Sequence, residues 1–88
     1  MTTELIHVGF GNVLAINKVI AMATPNSAPI KRMVKMVKDG KSPEMLIDLT
    51  NGRRTKAVLI VDSGYIVLAA IAPETIAGRL TASREVQG

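Results

Sequence analysis

The sequence predicts a small α+β domain, a mixed or antiparallel sheet with an amphipathic helix at about 28–39 and a short C-terminal helix at about 73–80. Three observations predict it. A serine–proline start precedes apolar residues at helical spacing, and an Asn-Gly pair separates two apolar runs. The 88 residues suffice for one core and not for two.

Taken in order, Glu4-Leu5-Ile6-His7-Val8 alternates weakly and predicts a first strand ending at Gly9. Gly9-Phe10-Gly11-Asn12 reads as a turn. The run from Val13 to Met22 is apolar except at Asn17-Lys18, and β-branched Val19 and Ile20 favour a strand near its end. Ser27 then supplies an N-cap and Pro29 fits a first helical turn, where its missing N–H costs little. Ile30, Met33, Val34 and Val37 recur at i, i+3, i+4 and i+7, while Lys31, Arg32, Lys35 and Lys38 fill the remaining arc. The helix should span Ala28 to Asp39, ahead of Gly40.

A loop at Lys41–Glu44 leads to a strand from Leu46 to Thr50. Asn51-Gly52 predicts a type I′ hairpin returning along Thr55 to Val61, with Thr50 opposite Arg53 and Asp48 opposite Thr55. Ala57 to Val61 is apolar on both faces, so its strand should be covered on both sides, by helices and by another subunit. Asp62-Ser63-Gly64 turns the chain into an apolar strand from Tyr65 to Ile71. Pro73 and Glu74 open the last helix, through Leu80, and the tail at 81–88 is polar and expected to fray. Residues 1–80 thus form one domain.

The apolar fraction is 48%, carried by aliphatic residues, with one Phe and one Tyr. A domain this small buries only about 60% of its unfolded surface, so the excess points to self-association. No apolar run reaches the roughly 18 residues of a membrane span, and the first residues lack the basic region and long apolar stretch of a signal peptide; a cytoplasmic protein is expected. Net charge is +4, with a pI of about 9.9. Lys31, Arg32, Lys35, Lys38, Lys41, Arg53, Arg54 and Lys56 crowd one stretch against Asp39, Glu44 and Asp48, an imbalance that favours a polyanionic partner.

Catalytic chemistry finds little footing. The chain has no cysteine and a single histidine, His7, so no ordinary zinc set can form and no cofactor is expected. Gly9-Phe10-Gly11 lacks the third glycine and the acidic partner of a dinucleotide fingerprint. The arginine pair remains. Guanidinium forks match phosphate oxygens or a guanine edge, and the scarcity of aromatic rings argues against single strands as the target. Arginines placed for solubility or for an inter-subunit ion pair are the competing reading.

Gly9-Phe10-Gly11-Asn12, Ser27-Ala28-Pro29-Ile30-Lys31-Arg32, Gly52-Arg53-Arg54-Thr55-Lys56-Ala57-Val58 and Pro73-Glu74-Thr75-Ile76-Ala77-Gly78-Arg79-Leu80, in this order, resemble the RemA family of small bacterial matrix regulators. The resemblance covers about Thr3 to Leu80. It implies a LytTR-like fold, a ring-shaped homo-oligomer, and a nucleoid-associated transcriptional activator with duplex DNA wrapped over the ring. The family's arginine pair matches Arg53 and Arg54, and a further basic position matches Lys18, where the best-known member has arginine. The expected DNA-binding set is therefore Arg53, Arg54, Lys56, Lys18, Lys31 and Arg32, with no membrane and no small-molecule substrate. The alternative is a non-enzymatic scaffold using the same basic surface for RNA or an acidic partner.

Overall fold

A computed structural model describes residues 4–79. Strands β1 (Leu5–Gly9) and β2 (Asn12–Ala15) form an antiparallel hairpin. A 3-10 turn at Ile16–Lys18 leads into β3 (Val19–Ala23). The run from Val13 to Met22 is thus broken where Asn17-Lys18 interrupts its apolar pattern. Helix α1 (Ala28–Asp39) follows with the expected bounds, and the Ser27 hydroxyl accepts from the Ile30 N–H at 3.3 Å. Its stripe residues Ile30, Met33, Val34 and Val37 are half-buried and its cations exposed.

The remaining strands are β4 (Leu46–Asp48), β5 (Ala57–Val61) and β6 (Ile66–Ala69), followed by α2 at 73–79. Leu80 and the tail at 81–88 lie outside the described residues. The second sheet has the order β3-β5-β6-β4, with β4 parallel to β6 and the other pairs antiparallel. The expected hairpin of β4 with β5 does not form, so Thr50 does not face Arg53 across a ladder, nor Asp48 Thr55. Instead β6 sits between them. Its residues Ile66, Val67 and Ala69 are buried, so it takes a central place with a ladder on each side. The short β4, carrying exposed Asp48, takes the edge, where a charge is tolerated.

The core lies on one face of this sheet. Ala57, Leu59, Val67 and Ala69 pack against Ile6 and Val8 of β1 and Ile76 of α2. β1 alternates exposed and buried residues, as a half-covered strand should. The cover on this face is therefore a β-hairpin together with a helix. Val58 and Ile66, on the alternate face, are also buried, and α1 lies against β4 on its way between the two sheet edges. The Arg79 guanidinium donates to the His7 carbonyl at 3.0 Å, tying α2 to β1.

Candidate functional site

The residues between β4 and β5 arch over the end of β6. On one flank the Leu49 N–H donates to the Leu68 carbonyl at 2.9 Å; on the other the Lys56 N–H donates to Ala69 at 2.8 Å. The apex is a tight turn in which the Arg53 N–H donates to the Thr50 carbonyl at 3.0 Å. Asn51 and Gly52 have φ of 54° and 79°, the left-handed pair that Asn-Gly favours. The local turn expected from sequence is present although its hairpin is not.

Asp48 fixes the entry to the arch. One carboxylate oxygen accepts the Thr50 hydroxyl at 2.5 Å and the Thr50 N–H at 2.9 Å. Thr50 is buried, so these bonds satisfy a polar group withdrawn from water. The hydroxyl first and the backbone N–H second hold the Asp48 carboxyl below its ordinary 3.8.

Arg53, Arg54 and Lys56 are all exposed on the arch, and among the described residues none of them forms an ion pair. The two arginines have different neighbours. The Arg53 guanidinium lies over the Phe10 ring, 5.9 Å from its centroid, at the tip of the β1–β2 hairpin. Arg54 and Lys56 line a cleft of about 240 Å³ with Thr24 to Asn26 and with Ala72 to Glu74. The lining is mixed: Arg54 and Lys56 attract an anion, and the Glu74 carboxylate opposes one.

The other expected positions divide between the two ends of the sheet. β3 ends at Ala23, opposite Val58, so the chain enters α1 at the arch end. Lys31 and Arg32, in the first turns of α1, are exposed there. Lys18 precedes Val19, opposite Val61, at the far end of the same strands. A subunit therefore brings three of the six cations together on the arch, carries Lys31 and Arg32 on the helix that starts from the same end, and places Lys18 at the other.

Sequence reasoning passed over Phe10 as part of a turn. The available signal was an aromatic ring between two glycines, where small polar residues are usual. The cleft also had no local signal, because its three segments are distant in sequence. Among the described residues no three His, Asp or Glu side chains cluster to hold a metal ion, and no helix is long and apolar enough to cross a membrane.

Fold and site together define a small α+β domain presenting a cationic arch. A family model described as extracellular matrix regulatory protein A-like matches residues 5–80, and the chain belongs to this RemA-like family. A regulatory protein of Dehalococcoides mccartyi is 60% identical over 84 residues, covering 96% of this chain and 84% of that one. The extracellular matrix regulatory protein A of Bacillus subtilis is 49% identical over 86 residues, covering 98% and 93%. A regulatory protein of Thermoanaerobacter is 48% identical over 86 residues, covering 98% and 86%. These relatives carry the names of regulatory proteins rather than of enzymes.

Proposed function

We propose that this protein is a transcriptional regulator that binds duplex DNA as a ring-shaped homo-oligomer, gripping it through the arch repeated on each subunit. One observation carries the reading: Arg53, Arg54 and Lys56 stand exposed on one arch, and the helix carrying exposed Lys31 and Arg32 starts from the same end of the sheet. Guanidinium and ammonium groups in that setting neutralise phosphates, and each one neutralised contributes about −0.9 to the log–log salt slope. Lys18, at the opposite end, meets a different phosphate or serves DNA held by a neighbouring subunit. The LytTR-like likeness, the activator role and the nucleoid location belong to this same reading.

Self-association is supported by apolar side chains left in water. Leu5 is 61% exposed and Ile20 is 69% exposed, and β3 has no second neighbour among the described strands. Repetition makes later contacts intramolecular, adding roughly 10²–10⁴-fold in avidity without new chemistry. The test joins gel shift to sizing. Arg53→Ala with Arg54→Ala should leave the assembly intact and abolish duplex binding; unchanged binding in the assembled variant sinks the assignment. Competition by structured RNA or anionic vesicles in place of duplex DNA would favour the scaffold alternative.

A further inference from the structure

The β1–β2 tip breaks a local rule. Phe10 has φ of 53°, between Gly9 at 102° and Gly11 at 77°. Glycine or asparagine adopts that conformation at lower cost than an aromatic residue. Phe10 is also 49% exposed, so it is not there to fill the core. A strained backbone around an exposed apolar side chain points to a use for the side chain. Its neighbour supplies one: the Arg53 guanidinium stands 5.9 Å from the ring centroid.

We infer that Phe10 is a positioning residue for Arg53, holding its guanidinium over the ring so that it meets duplex DNA already oriented. The inference rests on the DNA-binding reading above. A free arginine carries considerable rotamer entropy, which binding must remove; a ring beneath it removes part of that beforehand. The attraction between ring quadrupole and cation supplies the hold. Because the ring binds the cation through one face, the N–H donors remain available to an acceptor. Among the described residues no ring lies against Arg54, which lines the cleft instead. The adjacent arginines thus have different settings: Arg53 is set before contact, while Arg54 lines a cleft together with Lys56 and Glu74. The hairpin tip is held in turn, since the Asn12 side-chain amide donates to the Gly9 carbonyl at 3.1 Å.

The test pairs Phe10→Asn with Phe10→Tyr. Asparagine suits a positive φ, so Phe10→Asn should fold with an unchanged or higher melting temperature. Its duplex affinity should nevertheless fall about 2- to 5-fold for each arch engaged, the range of an exposed cation–π contact. Phe10→Tyr keeps a ring and should bind like the parent. In an Arg53→Ala background, measured at low salt, Phe10→Asn should cost nothing further. Parent-like affinity in Phe10→Asn, or a loss undiminished in Arg53→Ala, overturns the inference. A melting temperature that falls with affinity in every background overturns it too, in favour of a structural ring. If the parent itself fails to bind duplex, the DNA reading and this role for Phe10 fall together. NMR of the free protein then still reads the contact, as a ring-current shift on Arg53 that Phe10→Asn abolishes.

Discussion

Two turns meet at the arch end of the sheet, and they are built on opposite terms. At the arch apex, Asn51 and Gly52 occupy left-handed backbone that their side chains suit, and a Cβ on Gly52 would meet nothing within 4 Å. At the β1–β2 tip three successive residues have positive φ, one of them phenylalanine, and a Cβ on Gly9 would come 3.1 Å from the Ile71 Cδ1. The first turn follows from local propensity. The second is imposed by what surrounds it: close packing against Ile71 on one side and Arg53 above the ring on the other. A turn that obeys local rules needs no functional explanation, and one that breaks them at an exposed aromatic residue does.

The largest expected effect is on ligand binding. Replacing both arch arginines should lower duplex affinity by at least about 10²-fold in the assembled protein and flatten the salt slope, because contacts are lost in every subunit. Gel shift across a salt series reads both quantities. Next, Gly9→Val should cost about 2–4 kcal/mol in denaturant unfolding, since it adds left-handed strain to a clash with Ile71. A cost no larger than that of Gly52→Ala would erase the contrast between the turns.

Asp48→Ala should cost about 1–3 kcal/mol, because the buried Thr50 hydroxyl loses its acceptor. The same unfolding measurement reads it, and the loosened arch should bind duplex more weakly as well. Gly52→Ala should cost about 1 kcal/mol, from positive φ alone. The smallest effect is on pH dependence. The Asp48 carboxyl is depressed when folded, so its contribution is fully present above the ordinary 3.8 and fades as pH falls through the folded value. Asp48→Asn should remove that part of the acid limb and leave the stability profile above about pH 5 parallel to that of the parent. A shape change near neutrality would contradict the assignment.

How far these features could be read in advance follows from the range of the forces involved. Helix α1 was legible to the residue because its cap, its proline and its apolar stripe lie within a few residues of one another. The Asn51-Gly52 turn was legible for the same reason. The partner of β4 was not. A hairpin signal assumes that strands adjacent in sequence pair, and here β6 outcompetes β4 for the place beside β5. The pattern did hold a hint: Asp48 sits poorly opposite Thr55 in a covered sheet and well on an edge. Five of the site cations could be named from charge, but which end of the sheet the arch and Lys18 occupy depends on strand direction.

By itself, then, the sequence determined what is local and what is compositional: the capped helix, the left-handed turn, the two-faced apolar strand, the clustered positive charge and the family to which these motifs belong. Only the tertiary structure decided that β6 would lie between β4 and β5, that the intervening loop would become an arch, and that Phe10 would come to lie beneath Arg53. The physical reason is that φ preferences, caps and periodicity act between near neighbours. Strand order and a ring–guanidinium contact are settled by competition among distant segments for the same buried edge and the same space.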